Sequence, residues 1–192
     1  MTIHDRYVSL RSRLKRFAAD RHGVSAVEFA LVAPLMITIY LGGVEVTQGV
    51  AISRKTTLIA HTVADLVAQD TSVTNSEMND ILSASAAVAQ PYSITSLQVT
   101  VSSIVIDANG KATVGWSDTL NGTKLTPGSS VTLPAALAVA NTSLILGQVK
   151  YTYRPTFGGV LTGDIALGDK IYMRPRLANC VVRTPPGTCK TQ

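Results

Sequence analysis

The chain's 192 residues suffice for about one ordered domain and an appendage, because domains usually run to roughly 100 to 200 residues. Its formal charge of +5 is local: Arg6, Arg11, Arg13, Lys15, Arg16 and Arg21, opposed there only by Asp5 and Asp20, place +4 of it before Gly23. The remainder is nearly neutral, which argues against a basic nucleic-acid-binding face, and 15% charged with 5% aromatic residues is a balance common in secreted or envelope proteins.

The first predicted element is a helix. Phe29 to Val44 reads FALVAPLMITIYLGGV, without a charge, and extension to Val24 and Val46 brings in Glu28 and Glu45. Val24 to Val46 covers about 34 Å as a helix, enough for the ~30 Å hydrocarbon layer. Lys and Arg crowd before this stretch, whereas only Arg54 and Lys55 lie just after it, so the positive-inside rule predicts a cytoplasmic N-terminus and a translocated remainder. Pro34 and Gly42-Gly43 interrupt the helix in a way membranes tolerate. The same layout also fits a secretory signal cut near Gly42 or Gly43, or a plain unprocessed anchor. Glu28 argues against the signal: an ionisable group in an apolar helix costs up to about 3 kcal/mol at the bilayer centre, less near the interface, and a disposable signal gains nothing from it.

Gly23, Val24, Ser25, Ala26, Val27, Glu28 and Phe29 resemble the prepilin-peptidase site of type IV pilins, where a glycine precedes the cut and a glutamate stands fifth after it. Together with the run Asp20-Arg21-His22-Gly23 and the continuing AVEFALVAPL, they resemble the TadE/TadG-like pseudopilins of tight-adherence (Flp) pilus systems over Arg16 to Val50. The remaining length is too short for the von Willebrand-type domain of the longer TadG architecture, so a TadE-like minor subunit is the better match. The resemblance implies cleavage between Gly23 and Val24 by a prepilin peptidase. It further implies that Glu28 pairs with the new α-ammonium of a neighbouring subunit, while Phe29 completes the processing and assembly motif. The implied location is the bacterial inner membrane, single-pass, with the head in the periplasm or outside the cell in the pilus. The implied partners are the peptidase, other pilin or pseudopilin subunits, the inner-membrane assembly platform and the lipid bilayer. The implied organisation is a cleaved leader (1–23), a transmembrane and stem helix (24–70) and an α+β head (71–192). The contrasting reading is a periplasmic or membrane-anchored binding module unrelated to pili.

Beyond the membrane, Ile52, Ile59, Val63, Leu66 and Val67 recur at helical spacing, which predicts that the helix continues to about Ala68 as an amphipathic stem. Thr74 and Glu77 form a capping box ahead of Met78, Ile81, Leu82 and Val88, predicting a second helix that ends before Pro91. From Ile94 the period changes to two: Leu97, Val99 and Val101 alternate with Gln98 and Thr100. Asp107-Ala108-Asn109-Gly110 turns the chain into a returning strand, on which Ala112, Val114 and Trp116 are expected to share a face. Asn121 to Ser130 reads as a loop, Pro134 to Ala140 as a short helical turn, and strands resume around Val149 to Tyr153 and Ile171 to Met173. The expected fold is α+β, with a long N-terminal helix packed on an antiparallel sheet of about four strands.

No catalytic signature emerges. His4, His22 and His61 lack HExxH or Cys-x-x-Cys spacing, and neither a Gly-x-Ser-x-Gly elbow nor a phosphate-cradling loop is present, so no metal, cofactor, nucleic acid or small-molecule substrate is expected. Asp164 and Asp169, beside Gly163 and Gly168, read as turn residues. Asn121-Gly122-Thr123 and Asn141-Thr142-Ser143 are glycosylation triplets that arise often by chance. Cys180 and Cys189 are both near the C-terminus. In an oxidising compartment they would close a short loop through Pro185-Pro186-Gly187, worth roughly 2 to 3 kcal/mol in the chain-entropy account; in a reducing one they stay free thiols.

Overall fold

The computed structural model describes residues 22–157 and 163–185; the basic leader through Arg21 and Cys189 lie outside the described residues. The architecture is α+β: a long N-terminal helix, α1 (His22–Ala68), is followed by a small head built around an antiparallel sheet. The chain divides into two compact units inside α1, between Val44 and Glu45. The second half of α1 therefore belongs with the head.

The stem half of α1 packs as its periodicity predicts. Ile52, Thr56, Ile59, Ala60, Val63, Ala64, Val67 and Ala68 are buried along one stripe in steps of three or four residues, whereas Leu66 is only half-buried. After a short strand, β1 (Ser72–Thr74), comes a second helix, α2 (Asn75–Ala87). Its start is fixed by the Thr74 capping box. Glu77 N–H donates to Thr74 Oγ1 at 3.3 Å, and Thr74 N–H donates to the Glu77 carboxylate at 2.8 Å. The Thr74 backbone and hydroxyl donors hold the Glu77 carboxyl below its ordinary pKa. Met78, Leu82 and Ala86 form its buried side.

The sheet contains β2 (Leu97–Ile106), β3 (Ala112–Leu120), β4 (Thr142–Tyr153) and β5 (Ile165–Met173), all antiparallel, in the order β3-β2-β4-β5. Asp107 organises the β2–β3 turn, its Oδ1 accepting from Asn109 N–H and Lys111 N–H at 2.9 Å each, with Gly110 at φ 78°. One face of the sheet meets the stem through Leu97, Val99, Val101, Trp116, Ile145 and Val149. Gly147 sets the closeness of that packing: a Cβ there would lie 2.5 Å from Ala60 O and 3.0 Å from Ala64 Cβ, so the helix backbone can approach β4 only because no side chain intervenes.

The expected shared face of Ala112, Val114 and Trp116 is not formed. Ser103 pairs with Trp116 and Ile104 with Val114, leaving Gly115 as an extra residue in a β-bulge. The bulge shifts the alternation, so Trp116 packs in the stem-facing cluster. Ala112 and Val114 instead join Ile104, Ile106, Leu144 and Leu146 in a second cluster. The segment between β3 and β4, with a short 3-10 turn at Ala135–Leu137, packs Leu125, Val131, Leu133 and Leu137 against that second cluster. It is a cover for the sheet as well as a connection.

Asp169 is also not in a turn. It lies within β5 opposite Val149, and Thr57 Oγ1 on the stem donates to its Oδ2 at 2.6 Å. That hydrogen bond, then the Lys170 backbone N–H, holds the Asp169 carboxyl below its ordinary pKa. Asp164 precedes the strand and pairs with Arg154 at 3.0 Å.

A further strand, β6 (Val182–Thr184), pairs in parallel with β1. Arg183, 9% exposed, anchors it: Nε donates to Asp118 Oδ2 at 2.6 Å, Nη2 to Asn75 Oδ1 at 2.6 Å and Nη1 to Val73 O at 3.2 Å. Trp116 Nε1 donates to Val181 O at 2.9 Å, so β3 holds the C-terminal segment through two side chains.

Candidate membrane and assembly segment

The residues of the proposed processing motif stand together at the beginning of α1. Gly23, Val24, Glu28 and Phe29 are all helical and exposed, and apart from its own turn of helix no described atom lies within 4 Å of where a Gly23 Cβ would be. Glu28 makes no hydrogen bond or ion pair with any described residue. A carboxylate with no partner among the described residues, at the edge of an apolar run, is available to a cation supplied from elsewhere.

Past Glu28 the helix is apolar on every side. Leu31 is 75% exposed, Tyr40 70% and Ile39 67%, and Val32, Leu35, Met36 and Ile37 are also exposed. The most apolar eighteen-residue window has a mean hydropathy of 2.0 and none of it is buried inside the protein. A core helix of the same composition would be covered by the rest of its chain. This one has the length and composition of a membrane-crossing helix. Pro34 lies inside it, and Thr38 Oγ1 donates to Pro34 O at 2.8 Å, the back-bond that a hydroxyl side chain makes inside a helix.

The far end of the run differs from its beginning. Glu45 is half-buried and bonded into the head: Phe157 N–H donates to its Oε1 at 2.6 Å, and Tyr153 Oη approaches its Oε2 and Gln48 Oε1 at 3.4 Å each. Burial, and then the Glu45 carboxylate, raise the Tyr153 hydroxyl above its ordinary pKa. Of the two cations after the run, Lys55 is also drawn inward. Its Nζ donates to the carbonyls of Val88 and Gln90 and lies 5.6 Å from the Tyr92 ring centroid. Sequence reasoning missed both attachments, because the partners lie on distant strands and loops with no local signature.

Cys180 is buried, and its proposed partner Cys189 lies outside the described residues. Among the described residues no group of three or more His, Cys, Asp or Glu is arranged to hold a metal ion.

Residues 23–70 match the family model described as TadE-like protein. The match opens at Gly23 and closes at Asp70, two residues past the end of α1, so it coincides with the helix. It associates this segment with a structural, Tad pilus-related family. No curated protein and no solved structure matches the chain.

Proposed function

We propose, from the TadE-like character of residues 23–70, that the protein is a minor pilin-like subunit of a Flp/Tad-type pilus, acting in pilus assembly and surface adhesion. The observation that carries this reading is the opening of the family match at Gly23, in the first turn of a helix that is apolar on every side past Glu28 and whose Glu28 has no partner among the described residues.

In this reading a prepilin peptidase cuts between Gly23 and Val24. Both residues are helical, so the cut requires the beginning of α1 to be drawn out into the peptidase cleft, which a side-chain-free glycine eases. Cleavage removes the basic leader that resists extraction from the membrane and creates an α-ammonium at Val24. Glu28 then meets the α-ammonium of an adjacent subunit, and the low dielectric of lipid or a pilus core strengthens that pair and fixes register. The helix remains as the anchor, with the head in the periplasm or displayed on the pilus. An oxidising compartment there joins Cys180 to Cys189.

Mass spectrometry of the protein from the membrane fraction of its native host tests the reading. A mature chain beginning at Val24 is expected, whereas a start near Gly43 or an intact leader overturns prepilin processing. In cells, Glu28→Ala should insert normally but lose most pili; undiminished piliation removes Glu28 from the mechanism.

A further inference from the structure

We propose that the open strip of β4 and β5 on the outward face of the sheet, centred on Lys150 and Lys170, binds an acidic polysaccharide. The proposal goes beyond the pilin reading and does not depend on it, because it concerns the head alone.

The stem packs on one face of the sheet, and on the other the β3–β4 segment packs over the cluster around Ile104 and Leu144. In β4 and β5 that covered region ends at the row Leu146↔Tyr172. Beyond it the alternation of β5 marks the open side: Ala166, Gly168 and Lys170 are exposed, whereas Leu167, Asp169 and Ile171, on the stem side, are half-buried. On β4, Lys150 and Thr152 are exposed and Gln148 is half-buried on the same side. The register opposes Lys150 to Gly168 and Gln148 to Lys170, so the two lysines are diagonal neighbours about 7–8 Å apart. Gly168 puts no side chain between them, and none fits: a Cβ there would lie 2.4 Å from Val149 O and 3.3 Å from Lys150 Cα.

A sheet face that met only water would gain from opposite charges across its strands, and like charges set side by side cost stability. Here neither lysine Nζ has a hydrogen bond or ion pair with a described residue. The acid within β5, Asp169, is held on the stem side by Thr57, and Asp164, just before the strand, is paired with Arg154 at 3.0 Å. The uncompensated charge therefore suits an anion from outside the chain, and the neighbours of the two ammonium groups select among polyanions. Gln148 and Thr152 both donate and accept hydrogen bonds, as sugar hydroxyls do. The strip carries no aromatic side chain on which bases could stack and no large apolar side chain to enter an acyl boundary. It matches a hydrated chain of carboxylates and hydroxyls better than a nucleic-acid strand or a membrane surface.

The test titrates the full-length chain, in a neutral detergent, with polygalacturonate, and in parallel with dextran, single-stranded DNA and phosphatidylglycerol nanodiscs. Polygalacturonate should bind and dextran should not. Binding should weaken about tenfold in Lys150→Gln/Lys170→Gln and survive in Lys150→Arg/Lys170→Arg. The leader is itself basic, so Arg11→Gln/Arg13→Gln is the control of equal charge and should bind as the parent does. An equal loss in that control, or no loss in Lys150→Gln/Lys170→Gln, overturns the proposal, as does a parent that fails to bind polygalacturonate. Tighter, lysine-dependent binding of single-stranded DNA or of the nanodiscs also overturns it and assigns the strip to a phosphate-bearing partner.

Discussion

The two halves of α1 are built from similar residues and solve opposite problems. From Gly23 to Val44 the apolar side chains point in all directions and none of the most apolar window is buried. From Glu45 to Ala68 the buried ones collect on one stripe, from Ile52 to Ala68, while Val46, Val50 and Leu58 are exposed with Arg54 and His61. A helix apolar on all sides takes its environment from outside the chain; a helix with one apolar stripe takes it from the chain itself. Substitutions should therefore separate the halves, because the same change costs folding energy in one and leaves folding untouched in the other.

The largest effect is expected where the head closes on itself. Arg183→Met leaves the Asp118 carboxylate, 8% exposed, facing only Lys124 at 2.7 Å, and also strips donors from Val73 O and Asn75. Breaking one side of a buried pair costs about 3–5 kcal/mol, so the denaturant midpoint followed by Trp116 emission in detergent should fall sharply. Resistance of the membrane-bound protein to alkaline extraction should not change, since it depends on the other half of the helix. A change in extraction without a change in midpoint would break the division.

The next effect is the direct comparison. Ile59 is 1% exposed against the sheet, and Ile59→Ala should destabilise the head by about 2–5 kcal/mol through lost burial and the cavity left behind. Ile37 is 57% exposed, and Ile37→Ala should leave the same unfolding midpoint where it was. Equal shifts for the two variants would mean that the anchor half is also part of the folded core.

Local signals in the sequence were sufficient for much of this. The stem stripe, the Thr74–Glu77 cap and the Asp107–Gly110 turn each lie within a few residues, and the structure contains all three. The proposed processing motif is similarly local, and the family match opens at Gly23. Pairing at long range was hidden. β6 is only three residues long and finds its parallel partner in β1, while Arg183 reaches Asp118 on a different strand. The bulge that sends Trp116 and Val114 to opposite sides overrode a simple period of two, although Gly115 inside the strand was a usable warning. The sheet's second cover was disguised because Leu125, Val131, Leu133 and Leu137 are scattered among turn-forming residues.

The smallest expected effect concerns the contact between stem and edge strand. Asp169 is held below its ordinary pKa chiefly by the Thr57 hydroxyl, so the folded state binds a proton there less readily than the unfolded chain. A depressed carboxylate contributes stability that is complete above its unfolded pKa of about 4 and is lost as pH falls through the folded value. Because Asp169 is only half-buried, solvent screening limits its share to about a few tenths of a kcal/mol. Glu77 titrates in the same direction, so the informative quantity is the difference between the parent and Asp169→Asn. The parent's small advantage at neutral pH should shrink as pH drops below about 4. Thr57→Val should shrink it already at neutral pH, because it removes the donor that depresses Asp169. A pH-independent difference would mean that neither the Thr57 nor the Lys170 contact favours the charged form of Asp169.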